Sequence, residues 1–403
     1  MFAWLKGTLS SAKAVRQLSF QLDRGPMRLG EPVDARIPWL RKLHDLDQAW
    51  AHQSHGPRLK AVQRGAEMLG DALRSGPRVV SVRTLPLTTL VYPTKYAFSA
   101  ACRVPMPFVV MTHRALLVQV RAEGEIKNVL FNPTNFETSI EAPFFRKLAD
   151  QYGEWLAKSV LTKRFGSVEE QLAKLGLTPE DIDVLAFDHF HVQDLRPLLG
   201  VRGVIGQRDV EGLYPRALLL APRAEWDDWD DLHPFQRAWF VRDGKKGVPN
   251  ERVVLTDSDL SLGDGALLLR TPGHTSGNQT LFASADGGVF GCSENGTCAD
   301  NWTPMESKIP GLREVAKLQD LDVILNSNTP EGGCTQYTSM MLERTIVDRV
   351  ADNPAFVRMF SSSEVTASPL ALGIKPTYSF GEITSGHITF PARNGTRPEI
   401  AAE

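Results

Sequence analysis

The chain has 403 residues, 42% of them hydrophobic and 23% charged, enough to bury a sizeable core in one large or two medium domains. Lys and Arg number 45 against 47 Asp and Glu, a formal net charge of −2, which gives no electrostatic case for nucleic acid or an anionic membrane as partner. The four cysteines (Cys102, Cys292, Cys298 and Cys334) form no CxxC pair, which argues against a zinc ribbon or a disulfide scaffold.

Along the chain, the first zone reads as helical. Leu40, Leu43, Leu46 and Trp50 recur at three- and four-residue spacing, and Leu59, Val62, Ala66, Leu69 and Leu73 repeat it after a Gly56-Pro57 breaker. Residues 1–77 are therefore expected to form a helical extension that covers a sheet edge or makes a homodimer contact. From Val79 the period changes to β-branched strands over 79–85, 108–111, 115–120 and 127–131. A helix over 143–161 follows, then a short one from Val168 stopped by Gly176, then Thr178 as a cap before Pro179. A buried strand, 184–187, runs straight into Asp188-His-Phe-His. Further strands are expected at 203–206, 217–221, 252–255, 266–270 and 288–291, and a helix over 311–318 leads to Leu325-Asn-Ser-Asn328. Two batches of strands with helices between and outside them predict a two-sheet sandwich with helical outer layers, spanning 78–350. Residues 351–403 read as a loop-rich tail with one strand at His387-Ile-Thr-Phe, and Ser361-Ser-Ser-Glu364 as a loop or helix start without chemistry. No apolar run approaches the roughly 20 residues of a membrane span, and the opening residues lack an apolar signal core, so a cytoplasmic protein is expected.

His189 and His191 are the first candidates for chemistry. Two-residue spacing on an extended chain points both imidazoles to the same side, and neutral imidazole is a common zinc ligand. A third ligand can come from His274, in a Gly-flanked turn just after a strand.

The segment from Gly176 to His191 resembles the approach to the HxHxDH motif of the metallo-β-lactamase superfamily, and Thr271-Pro-Gly-His-Thr-Ser-Gly-Asn resembles that family's later PGHTxG segment. The resemblance spans Val79 to Val347 and implies a four-layer αβ/βα sandwich with a metal site at the sheet edge. Departures are equally specific. Val192 is followed by Gln193 and Asp194 where the motif has Asp-His, the bridging-Asp strand ends in Cys292-Ser-Glu294, and the family's last histidine falls near Asn328. A three-histidine site thus survives while the second site lacks its usual ligands.

One ion per chain is therefore expected, zinc or alternatively iron, held by His189, His191 and His274, with Asp194 and Cys292 as candidate further ligands. Asp194 is also the candidate general base or water-orienting group. Asp188 can fix a ligand tautomer. Gln193, Glu294, Asn328, Trp226 and Trp229 are the candidates for supporting the site or contacting substrate, the two tryptophans lying in a segment that also carries His233 and Trp239. The leading function is a metallo-hydrolase in which metal-bound hydroxide attacks a small ester, lactone, amide or similar electrophile. An iron-dependent oxygenase and a non-catalytic binding protein stand beside it, because this scaffold hosts many chemistries.

Overall fold

The computed structural model describes residues 27–153, 162–206, 208–327 and 332–390. The chain opens with β1 (Leu29–Pro32), β2 (Arg41–Leu43) and α1 (His55–Ser75), then β3 (Ser81–Pro93), β4 (Phe108–Ala122) and β5 (Glu125–Phe131). Next come α2 (Pro143–Tyr152), α3 (Val168–Lys174), β6 (Val184–Ala186), β7 (Gly200–Val201), β8 (Val210–Glu211), β9 (Leu218–Pro222) and α4 (Arg223–Asp228). The second half holds β10 (Val253–Thr256), β11 (Asp259–Ser261), β12 (Ala266–Arg270), β13 (Gln279–Ala285), β14 (Gly288–Ser293), α5 (Leu312–Gln319) and α6 (Gly333–Ile346). Three short strands close it: β15 (Met359–Ser361), β16 (Ser363–Val365) and β17 (Thr384–Gly386).

Alternation along the strands decides the layers. Leu116, Val118 and Val120 of β4 share one buried cluster with Ala266 and Leu268 of β12 and Leu281 and Ala283 of β13, so these faces meet between the sheets. The opposite faces, carrying Leu267, Leu269 and Phe282, pack on Val62, Ala66 and Leu69 of α1 and on Met340, Met341 and Ile346 of α6. Leu117, Leu130, Leu185 and Leu219 similarly face Val168 and Leu172 of α3. The result is helix, sheet, sheet, helix, the αβ/βα sandwich that the resemblance implies. Among the described residues one sheet runs β1-β2-β11-β12-β13-β14-β15 and the other β10-β9-β6-β5-β4-β3-β17, with β16 on β4.

Several local expectations are corrected. The 37–50 stretch is not a helix: β2 pairs antiparallel with β11, so backbone hydrogen bonding within the sheet overrides the three- and four-residue spacing, and only Asp47–Trp50 turns helically. The expected strands at 108–111 and 115–120 are one strand, β4, paired with β3 along its length. Residues 203–206 form a turn between β7 and β8. α6 went unanticipated because Gln336, Thr338, Ser339 and Glu343 are buried on it, which blurs the apolar period. The expected 143–161 helix is α2 as far as Tyr152; residues 154–161 lie outside the described residues. The tail is not merely loop, since β15 adds to one sheet, and β16 and β17 to the other. Among the described residues, no helix is long and apolar enough to cross a membrane.

Candidate metal centre

The ends of β5, β6, β12 and β14 converge at one edge of the sandwich. After β5, Asn132 takes a left-handed φ of 58°, which Asn tolerates, and its Oδ1 accepts from the Asp188 backbone N–H at 2.9 Å. β6 then delivers Asp188, His189 and His191, while β12 delivers Thr271 to Asn278. In that second turn Gly273 has φ 141°, and a Cβ there would sit 2.3 Å from Gln336 Cα, so only glycine lets the His274 loop close onto α6.

The three imidazoles come together. Their ring centroids lie 4.6 Å (His189 to His191), 4.7 Å (His189 to His274) and 5.0 Å (His191 to His274) apart. One ligand atom from each lies within 4.8 Å of the others, and all three residues are buried. Each ring also meets an acceptor on its outer side. Nδ1 of His189 donates to Asp188 Oδ1 at 2.8 Å, Nε2 of His191 to Gln236 Oε1 at 2.6 Å, and Nδ1 of His274 to the Asn326 carbonyl at 3.2 Å. Those acceptors have no proton to give, so in each neutral ring the other nitrogen carries the lone pair. Three neutral imidazoles offering one nitrogen each in one buried place are a donor set suited to a divalent ion of the zinc type, and the residues present fit it.

Charge is concentrated here. Burial opposes protonation of His189, but the Asp188 carboxylate beside it, with Glu225 and Glu294, lifts its pKa to about 9. Burial and the neighbouring His189 push His274 down to about 3, and His191 well below its ordinary value. Burial raises Asp188, yet the His189 charge and the hydrogen bonds from His189 and Ser362 outweigh it and hold the carboxyl below its usual range. Burial raises Glu294 to about 8, reinforced by Asp188, and Glu225 to about 7.

The expected site residues divide. Asp188 does hold the His189 ring. Glu294 lines the cavity beside the histidines, its Oε2 accepting from the Ser363 backbone N–H at 2.9 Å. Gln193 lines it too and donates to Thr134 at 2.9 Å. Asp194, expected as base or extra ligand, is instead taken by Arg196, whose Nε and a terminal nitrogen reach its two oxygens at 2.8 and 2.7 Å. Cys292, expected as a ligand, packs in the inter-sheet core 3.8 Å from the Ser362 hydroxyl, and burial raises its thiol. Trp226 and Trp229 sit behind the site against Phe190 and do not line the cavity; Trp239 lines it. Asn328 lies outside the described residues, and Asn326 lines the cavity nearby.

Sequence reasoning missed four contributors. Glu225, at the start of α4, ties the two ligand turns together, Oε1 accepting from Phe190 N at 2.6 Å and Oε2 from Thr275 Oγ1 at 3.0 Å. Gln236 and Asn326 hold the outer nitrogens described above, and Ser362 donates to Asp188 Oδ2. No local pattern singled them out: Glu225 sits in a stretch crowded with Asp and Trp, and Ser362 within Ser361-Ser-Ser-Glu364.

The cavity over the histidines measures about 110 Å³ and opens to solvent. Its walls are largely apolar, with Val91, Met111, Ile140, Phe145, Leu148 and Trp239, the last packed against His191. Trp239 stacks on Phe144 at 4.7 Å between centroids, fastening the segment after α4 to the start of α2.

No protein-family model matches the chain, and no curated protein matches it. Among solved structures it is similar to a probable metal-dependent hydrolase from Staphylococcus aureus, at 14% identity and a TM-score of 0.43, covering 60% of this chain and 84% of that one. A second is hydrolase AbOPH in the beta lactamase superfamily, at 15% identity and 0.41, covering 79% and 99%. A third is an N-acyl homoserine lactone hydrolase with its product N-hexanoyl-L-homoserine at the catalytic metal center, at 16% and 0.39, covering 60% and 91%. At such identities none carries its substrate over to this chain.

Proposed function

We propose that this protein is a metal-dependent hydrolase in which His189, His191 and His274 hold one divalent ion, zinc by the donor set, against a small ester, lactone or similar electrophile bearing an apolar arm. The observation that carries this is the convergence of three buried imidazole nitrogens on the floor of a mainly apolar cavity. The ion would supply Lewis acidity and bring water into the neutral range as a nucleophile.

The chain's own residues do the rest. Asp188, Gln236 and the Asn326 carbonyl hold the rings by their outer nitrogens, so the donor geometry is set before anything binds. Glu294, a carboxyl on the cavity wall beside Asp188, would take up or return a proton, the role expected of Asp194. Val91, Met111, Phe145, Leu148 and Trp239 exclude water from the substrate's apolar arm. A single ion is favoured because, at the altered second-site positions, Asp194 is paired with Arg196 and Gln193 offers only an amide oxygen, a weak ligand beside imidazole or carboxylate.

The test is metal analysis of protein purified without added metal, alongside hydrolysis of p-nitrophenyl esters and lactones of graded acyl length. About one zinc per chain, with metal and activity both lost in His189→Ala and His274→Ala, is the expected outcome. Iron with oxygen consumption would replace the hydrolase by an oxygenase, and metal-free protein with full esterase activity would contradict the proposal.

A further inference from the structure

Ser361, Ser362, Ser363 and Glu364 cross from one sheet to the other close to the imidazoles. β15 ends at Ser361, parallel to β14, and β16 begins at Ser363, antiparallel to β4. Ser362 is the single residue between them, and its surroundings are held on every side. Ser361 Oγ donates to the Gly296 carbonyl at 2.7 Å, and the Ser362 carbonyl accepts from Arg114 N at 3.0 Å. Glu364 forms a buried ion pair with the Arg114 guanidinium.

With its backbone fixed by both sheets, Ser362 is 1% exposed and its hydroxyl donates to Asp188 Oδ2. The other oxygen, Oδ1, takes the backbone N–H and Nδ1–H of His189, both at 2.8 Å. Without the hydroxyl, one oxygen of a buried carboxylate loses its donor and the group can turn about its side-chain bonds, carrying the imidazole with it.

We propose that Ser362 is a positioning residue of the metal centre: by donating to Asp188 Oδ2 it fixes the carboxylate that orients His189, and so sets how tightly the three imidazoles hold an ion. This rests on reading the three histidines as a metal centre.

The test measures zinc affinity by competition with a chromophoric chelator, and the visible spectrum of the Co(II)-loaded protein, for wild type, Ser362→Ala, Asp188→Asn and the double variant. Ser362→Ala is expected to bind zinc about 10–100-fold more weakly and to shift the Co(II) bands, with circular dichroism unchanged. Because the effect runs through Asp188, adding Ser362→Ala to Asp188→Asn should weaken binding no further. Ser361→Ala, which alters the same crossing without touching Asp188, should bind zinc like wild type. Wild-type affinity and spectrum in Ser362→Ala, full additivity in the double variant, or an equal loss in Ser361→Ala would each overturn the proposal while leaving the metal centre intact. Wild type that takes up no zinc would overturn the metal-centre reading and this proposal with it.

Discussion

An imidazole that is to bind a metal ion must present an unprotonated nitrogen in a fixed direction, and in each of the three here the other ring nitrogen is held by an accepting oxygen. Gln236 does this for His191 from 45 residues away. Replacing it with Leu removes the acceptor while keeping the volume, so Gln236→Leu should retain its fold and bind zinc about 10-fold more weakly in a chelator competition. Glu225 acts differently, as a clamp between the two ligand turns. Glu225→Ala would strand the Phe190 N–H and the Thr275 hydroxyl in a buried place, and denaturant titration should show a loss of about 2–4 kcal/mol. A change within 0.5 kcal/mol, roughly the scatter of surface substitutions, would rule out the clamp. The histidines themselves were legible in the sequence because their spacing and flanking turns are local. Glu225, Gln236, Asn326 and Ser362 were not, because only the folded chain brings them beside the rings. Asp194, expected as a base or further ligand, is paired with Arg196 two residues on, a short-range contact that spacing alone does not reveal.

At the level of elements, the strands announced themselves where apolar residues alternate or run continuously, as in β3, β4, β9 and β12. β2 failed because three- and four-residue spacing in a short stretch cannot compete with the hydrogen bonds offered by β11. α6 failed because it spends its buried face on polar contacts: Glu343 accepts from Thr280 Oγ1 and Asn295 at 2.8 Å and from Trp302 at 2.7 Å, bracing the strands that carry the His274 turn. Val192, directly after His191, sits at φ 57°, an unfavourable conformation for a β-branched residue, and its N–H donates to the Trp239 carbonyl at 2.7 Å. That contact and the stacking of Trp239 on Phe144 make α2 a wall of the cavity. Substituting Leu148 by Trp on that wall should shorten the accepted arm: kcat/KM for a long-chain p-nitrophenyl ester should fall about 10-fold while the acetyl ester is little changed. Equal losses on both esters would show that α2 does not line the substrate's path.

For the molecule as a whole, the layer order followed from the two strand batches, but the boundaries at 77 and 351 mark no structural separation. β1 and β2 extend one sheet through β11, and the last strands divide between both sheets, with Thr377 donating to Asp300 as the chain returns along the sandwich. Removing residues 352–403 should therefore not yield a trimmed, folded core. It would bare the β14 edge and part of β4, and the product is expected to be insoluble or to lose its cooperative thermal transition. A soluble truncated protein melting within a few degrees of the full chain would show the tail to be dispensable. The most direct measurement of the central claim is anomalous diffraction at the zinc edge from crystals grown with zinc. One peak is expected about 2.0–2.1 Å from Nε2 of His189, Nδ1 of His191 and Nε2 of His274. A peak bonded to only two of these rings, or none among them, would contradict the account.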